Sequence, residues 1–340
     1  MPEGHTVHRL ARTFDSLYAG QVLRVSSPQG RFADGAAVLS GRRLVASEAW
    51  GKQLFLGFEG DLWLRTHLGL YGTWTFAGAP DAPEVAHAIG APRKRIGERE
   101  TNPVVELAEA QTSTGSDDGE WLVPDPRGQV RVRLLGDHAV ADLTGPTACE
   151  VITTEEKKAV EARLGPDPIR DDGDVEAFVA AVGRSRVTIG QQLMDQAVVA
   201  GVGNIYRAEA LFRAGVDPLR PGRAVPATTV RAIWDDLVTL MRDGAALGAI
   251  VTTDPADSPT REASRERGYD PDEGSDEHKP VVGGRRRTRQ NTDGTPGAVP
   301  SDQAFYVYHR AGLPCRICGT PVLTKELAGR NLFWCPTCQT

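Results

Sequence analysis

Between residues 20 and 75 the apolar positions fall in short runs broken by glycine and charge: "QVLRVSSPQGRF", "RRLVASEAWGKQLFLGF" and "DLWLRTHLGLYGTW". Runs of that length, bounded by turn residues, predict strands joined by tight turns. The pattern returns in "GQVRVRLLGDHAVADL". Together these segments predict a β-rich first domain, a sandwich, over residues 1–146. Its end runs into "TTEEKKAVEARLG", a helix opened by Thr154 with acids in its first turn. From 147 to 251 the spacing turns helical, in "DVEAFVAAVG", "TIGQQLMDQAVV", "NIYRAEALFRAG" and "TTVRAIWDDLVTLMRDGAALG". The fold class is therefore α+β, with strands segregated ahead of helices.

Two stretches carry no such pattern. Residues 77–120 are rich in Ala, Pro, Gly and charge and predict a flexible insertion. Residues 252–302 predict a disordered linker, because they offer too little apolar surface to offset the entropy of ordering. Order resumes at "AFYVYHRAG", opening a last module over 303–340.

Composition narrows the function. A chain of 340 residues has room for two domains. No apolar run approaches the roughly 18 residues of a membrane span, so no membrane partner is expected. The opening "MPEGHTVHRL" has neither the basic start nor the apolar core of a secretory signal. The net charge of −6 argues against nucleic acid only when read over the whole chain, since binding depends on local basic patches.

Four of the five cysteines lie in the last 26 residues. Cys315 and Cys318 form one C-x2-C pair, Cys335 and Cys338 another, with 16 residues between. That is the four-cysteine zinc spacing, and one structural Zn2+ would replace a core that so short a module cannot build. Disulfides inside each pair would not tie the two knuckles together. The fifth cysteine, Cys149, reads as a buried thiol. His5 and His8 have metal-like spacing without a third ligand, so they are not read as a metal site. Over 305–340, Arg310, Arg316, Lys325 and Arg330 face only Glu326, a balance of +3. A basic zinc module suits phosphate contact.

The second motif is "LMDQAVVAGVGNIYRAEALFRAG". An apolar helix ends near Val199, Gly201 and Gly203 make a tight turn, and a second helix starts near Asn204. A glycine turn leading into a helix lets backbone N–H groups approach a phosphate. Asn204 suits either a phosphate contact or a helix N-cap.

"PEG" at the start, "GVGNIY" between two helices and a C-terminal C-x2-C…C-x2-C hairpin occur here in one order. In this the chain resembles the formamidopyrimidine-DNA glycosylase and endonuclease VIII family. The resemblance leaves out residues 77–120 and 252–302. "PEG" and "LGLYG" look more like the endonuclease VIII branch. The resemblance implies a bacterial, cytoplasmic and monomeric enzyme of base excision repair, acting on DNA with damaged bases or abasic sites. In that family Met1 is removed and the Pro2 amine is the nucleophile. An α-amine has a pKa near 7.7–8.0 against about 10.4 for Lys, so far more of it is unprotonated at neutral pH. Glu3 is carried over as the general acid/base for opening the sugar ring.

The resemblance extends residue by residue. Lys52, in "AWGKQLFL", takes the role of a lysine that supports catalysis and contacts phosphate. Arg330, at "GRN", takes that of the finger arginine. His67, Leu70 and Tyr71 lie in "RTHLGLYG"; Leu70 and Tyr71 suit a loop that fills the void left by an extruded base, or else are one core and one surface residue of a turn. Where the family has a phosphate-binding lysine this chain reads "GRSRVTIGQQ", so Arg186 is the candidate there. A non-catalytic DNA-damage-binding protein on the same fold is the rival reading. In the linker, the acidic Asp270, Asp272, Glu273, Asp276 and Glu277 precede Arg285, Arg286, Arg287 and Arg289. Those arginines form either an electrostatic tether to DNA or an idle solvated segment.

Overall fold

The computed structural model describes residues 2–83, 86–91, 121–254, 299 and 303–340. The arginine block at 285–289 lies outside the described residues. The chain divides into two compact units, Met1–Arg170 and Asp171–Thr340.

In the first unit, helix α1 (Gly4–Tyr18) precedes strands β1 (Val22–Ser26), β2 (Arg42–Trp50), β3 (Gln53–Phe58), β4 (Leu62–His67) and β5 (Thr73–Gly78). A short helix, α2 (Ala33–Leu39), interrupts the expected run of strands between β1 and β2. Strands β6 (Ala88–Gly90), β7 (Val130–Leu135), β8 (Ala139–Thr144) and β9 (Ala148–Ile152) complete the unit, followed by helix α3 (Thr154–Glu161). All the pairings are antiparallel. One sheet runs β6-β5-β8-β7-β1 and the other β2-β3-β4-β9. Among the described residues they are joined where Val22 and Leu23 meet Arg43 and Arg42. This is the expected sandwich.

The period of two decides which way each strand faces. Leu54, Leu56 and Phe58 of β3 enter the main core, together with Leu10, Phe14 and Leu17 of α1. The Phe14 ring meets Trp74 edge-on at 4.8 Å. Phe55, on the opposite face of β3, packs instead with Ile152 and Val160. That second cluster is why the first unit continues past residue 146: β9 pairs along β4 from Trp63↔Ile152 to His67↔Ala148. Thr153, one residue ahead of the expected Thr154, caps α3 in a reciprocal capping box with Glu156. The segment expected as a flexible insertion also begins inside the sandwich. β6 pairs with β5, and Ile89 is buried in the core.

In the second unit, helices α4 (Val175–Arg184), α5 (Ile189–Gln192), α6 (Asn204–Arg213) and α7 (Ala227–Leu247) precede the hairpin β10 (Leu323–Leu327) and β11 (Arg330–Trp334). The apolar helix expected to reach Val199 stops at Gln192. Local side-chain bonds compete with the helix there: Asp195 Oδ1 accepts from the Ala197 amide, and Gln196 folds over the turn that follows. The start of the predicted linker is ordered as well. Thr252 is buried, and its amide donates to the Ala304 carbonyl at 2.9 Å.

Glu209, fully buried on α6, binds the two flanks of the undescribed segment together. Its Oε2 accepts from the Tyr306 amide at 2.8 Å and from the Thr252 hydroxyl. Its Oε1 accepts from the amides of Val307 and Tyr308 at 2.9 and 2.8 Å. Hydrogen bonds to a buried charge contribute more than neutral ones. Replacing the charge by an amide, in Glu209→Gln, should therefore destabilise the second unit by about 2 kcal/mol. The check is urea unfolding followed by the second unit's fluorescence, where an unchanged midpoint would exclude this anchoring role.

Candidate active site and nucleic-acid interface

In the first unit the N-terminal motif sits where a helix begins. Glu3 is the N-cap of α1, with extended backbone (φ −123°, ψ −176°), and its carbonyl accepts from the Thr6 amide at 3.0 Å. Both Pro2 and Glu3 are buried. Gly51 and Lys52 form the two-residue turn between β2 and β3, with Gly51 in the left-handed region at φ +57°. Lys52 is thus at a hairpin tip rather than within a strand.

Asp167 ties these pieces together, and no motif in the sequence marks it. Its Oδ2 accepts from His8 Nε2 and from the Gly51 amide, both at 2.7 Å, and its Oδ1 accepts from the Ile169 amide at 2.9 Å. One buried carboxylate so links α1, which begins just after Pro2 and Glu3, to the turn that carries Lys52. A lone acid between two prolines, in "GPDP", was the available signal. His8 is thereby a partner of Asp167.

His67 ends β4 opposite Gln53, the neighbour of Lys52. Burial pushes its pKa below the ordinary histidine value, and the Lys52 and Arg65 charges push the same way. The Gly69 amide donates to His67 Nδ1 at 3.1 Å, so the neutral ring carries its proton on Nε2. The Leu70–Tyr71 loop follows. Gly69 has φ +63°, and a Cβ there would lie 1.8 Å from Thr147 Oγ1, so only glycine lets this loop lie on the neighbouring one. Leu70 is half-buried and Tyr71 exposed. Cys149 is a partly buried thiol on β9, raised to about 12 chiefly by burial.

In the second unit the glycine turn is built on Gln196. Its Oε1 accepts from the Gly201 amide at 3.0 Å, and its Nε2 donates to the Val202 carbonyl at 3.0 Å. Gly201 takes φ +89°, a left-handed conformation that suits glycine. Gly203, not Asn204, is the N-cap of α6. The Asn204 side chain turns inward: Nδ2 donates to the Asn331 carbonyl at 2.9 Å, and Oδ1 accepts from Arg207.

The four expected zinc ligands come together, with every Sγ within 4.8 Å of the others. Cys315 and Cys338 are 3.8 Å apart, Cys318 and Cys335 3.4 Å, each pair taking one cysteine from each knuckle. Tetrahedral zinc with Zn–S bonds of about 2.3 Å sets its sulfurs about 3.8 Å apart, whereas a disulfide needs about 2.05 Å. The four thiols therefore fit one structural zinc, a fully thiolate site with no open position for chemistry. Among the described residues no other group of three or more His, Cys, Asp or Glu could hold a metal.

The finger's basic residues divide into two kinds. Arg310 Nη2 donates to the Pro314 carbonyl and Arg316 Nε to the Phe305 carbonyl, so both brace the finger's own backbone. Arg330 is exposed at the end of the β10–β11 turn, beside a cleft of about 740 Å³ lined also by Ser185, Gln191, Asp195 and Gly329. Both residues of that turn are left-handed, Ala328 at φ +52° and Gly329 at φ +69°. A non-glycine residue held there costs about 1–2 kcal/mol. Arg186 is exposed between α4 and α5.

A β-sandwich opened by Pro-Glu, a helix–two-turn–helix unit and a four-cysteine finger are the parts of one family of DNA repair enzymes. Residues 1–101 match the formamidopyrimidine-DNA glycosylase N-terminal domain, 164–256 its H2TH domain, and 312–340 the zinc finger found in FPG and IleRS. Over 340 residues, all of both chains, the protein is 41% identical to Endonuclease 8 1 of Mycobacterium tuberculosis. It is 27% identical to the formamidopyrimidine-DNA glycosylase of Thermus thermophilus over 343 residues, covering 100% of this chain and 98% of the other. A solved complex of the Lactococcus lactis Fpg with DNA containing an abasic site shares the fold, at TM-score 0.64 and 18% identity over 99% of each chain. The chain belongs to the formamidopyrimidine-DNA glycosylase and endonuclease VIII family, in its endonuclease VIII branch. It is a DNA glycosylase/lyase of base excision repair. No helix among the described residues is long and apolar enough to cross a membrane.

Two outcomes follow from this geometry. Burial, and then neighbouring positive charges, lower the His5 pKa to about 3, so His5 is neutral in the folded protein near neutral pH. An unfolded histidine takes up its proton near 6.5. Below that pH the unfolded chain binds more protons, and stability falls as pH drops, by about 1.4 kcal/mol per pH unit for His5. Above it the contribution is complete. His5→Asn should flatten the loss of urea-unfolding stability between about pH 6 and 5 by roughly one proton's slope; an unaltered slope would mean that His5 is protonated in the native state. Separately, Cys318→Ser should lose zinc and DNA binding while the sandwich stays folded, because metal binding supplies the finger's folding energy. Zinc retained in a one-to-one ratio by that variant would refute the four-thiolate site.

Proposed function

We propose that this enzyme removes oxidised bases, principally pyrimidines, from DNA and cleaves the strand through a Schiff base on Pro2. Support comes from the pairing of Pro2 with a buried carboxylate at the first turn of α1, and from the single Asp167 carboxylate that bonds both to α1 and to the Lys52 turn. The pyrimidine preference takes its support from the Endonuclease 8 relative, 41% identical along the whole chain.

With Met1 removed, the Pro2 amine attacks C1′ of the damaged nucleoside. The N–C1′ bond forms, the glycosidic bond breaks, and the base leaves with a proton. Glu3 protonates the ring oxygen, so that the sugar opens and the adduct becomes an iminium cation. The iminium draws electrons from the C2′–H bond; a base takes that proton, and the 3′ phosphate leaves. Water then hydrolyses the iminium and returns Pro2 to its amine. Lys52 neutralises phosphate charge and assists proton transfer. Arg330 and the glycine turn ahead of α6 bind phosphates, as does Arg186, and His67 offers Nε2–H as a donor. Leu70 and Tyr71, on a loop hinged by Gly69, occupy the place of the extruded base. The enzyme works as a monomer on DNA in the bacterial cytoplasm, and its sandwich ends with β9 and α3 rather than at residue 146.

Borohydride reduction tests the central step, because it fixes an iminium as a stable amine. The protein should form a covalent adduct with abasic DNA, and Pro2→Gly should lose it. No adduct with the natural sequence would refute the Schiff base on Pro2. Excision of thymine glycol faster than of 8-oxoguanine, under single-turnover conditions, would support the pyrimidine preference; the reverse order would refute it.

A further inference from the structure

Arg207 is fully buried on α6, one turn beyond Asn204. Its Nη2 donates to Asn204 Oδ1 and, at 3.2 Å, to the Asn331 carbonyl, while Nη1 reaches the Gly190 carbonyl at 3.5 Å. Asn204 Nδ2 donates to the same Asn331 carbonyl at 2.9 Å. Two side chains of one helix thus converge on one backbone oxygen of the finger. That oxygen belongs to the residue directly after Arg330.

The register of the hairpin shows why this matters. Leu323 pairs with Trp334 at the end next to Cys335, and Leu327 pairs with Arg330 at the turn. Zinc therefore secures one end of the hairpin and leaves the other to its own devices. Two strands of five residues are marginal alone, and β10 is exposed along nearly all its length. The turn itself holds Ala328 in a left-handed conformation, so local preference does not stabilise it. Arg207 and Asn204 act at this otherwise weak end. Gly190 lies beside the hairpin: a Cβ there would be 3.4 Å from Leu327, an ordinary contact, while the Pro218 carbonyl at 2.8 Å is what keeps the position glycine. Moving the turn away would take one acceptor from a guanidinium that water does not reach, which disfavours the departure.

We propose that Arg207 is a positioning residue which, with Asn204, holds the turn end of the finger hairpin on α6 and so fixes where Arg330 is presented to DNA. This rests on the reading that Arg330 contacts DNA. Asn204 Nδ2 carries two N–H donors, so the one it gives to the finger's backbone leaves the other for the phosphate contact expected of its motif.

The test is a double-mutant cycle in the full-length, zinc-loaded enzyme, read by DNA affinity and single-turnover cleavage of an abasic duplex. Arg207→Met should keep its zinc and lose on the order of tenfold in affinity or rate, and Arg207→Lys should recover part of that loss. In an Arg330→Ala background Arg207→Met should cause no further loss, because the residue it positions is gone. Equal losses in both backgrounds would overturn the proposal, as would an Arg207→Met enzyme indistinguishable from the natural one. If Arg330→Ala alone changes neither readout, Arg330's role on DNA fails and the proposal with it. A loss on Arg330→Ala without one on Arg207→Met sinks only the proposal. Should Arg207→Met not fold, Arg207→Lys, which keeps one charged donor but not the fork, must show the same non-additivity with Arg330→Ala.

Discussion

Buried carboxylates that collect backbone amides hold together the parts of this enzyme that carry no pattern of their own. Asp167 gathers His8, Gly51 and Ile169 in the first unit. Glu209 gathers Tyr306, Val307, Tyr308 and Thr252 in the second. An irregular segment cannot satisfy its own N–H groups, and burying them without acceptors is unfavourable. A carboxylate accepts several at once, and its charge makes each bond stronger than a neutral one. The turn that carries Lys52 can therefore be short and still ordered.

In the proposed mechanism the chain terminus is the nucleophile, which sets a second constraint. An amine at the very end of a chain is normally the most mobile group in a protein. Here the helix begins at residue 4, so Pro2, the proposed nucleophile, is separated from a rigid element by little more than Glu3. That helix is rigid because Leu10, Phe14 and Leu17 are buried among residues from both sheets. Core packing and catalytic positioning are thus one problem, solved by the same helix.

The finger solves a related problem with different means. Thirty-odd residues bury too little apolar surface to fold alone, and zinc supplies what the core lacks. Metal binding constrains only the end where the cysteines lie. The far end depends on polar contacts to α6, where Asn204 and Arg207 meet Asn331. A charge as poorly suited to burial as a guanidinium is retained because acceptors surround it on three segments: Gly190, Asn204 and Asn331.

Much of this was legible in the chain itself. The runs between residues 20 and 75 predict the strands because a period of two is a local property. The cysteine spacing predicts zinc because coordination chemistry fixes ligand number and geometry. "PEG", "GVGNIY" and the paired C-x2-C motifs together point to the family, since each is a short segment whose chemistry needs those residues in that order. Other features depended on groups far apart in sequence. Asp167 looks like an ordinary loop acid until the fold brings His8 and Gly51 to it. Glu209 and Arg207 read as polar interruptions of an amphipathic helix, and only the finger folded against α6 makes them its anchors. β6 and β9 escaped the pattern because a three-residue strand, and a strand at a presumed boundary, acquire meaning only from the strand they pair with. Periodicity and ligand spacing belong to neighbours along the chain and can be read from it. The satisfaction of buried charge belongs to neighbours in space, and the tertiary structure alone decided that.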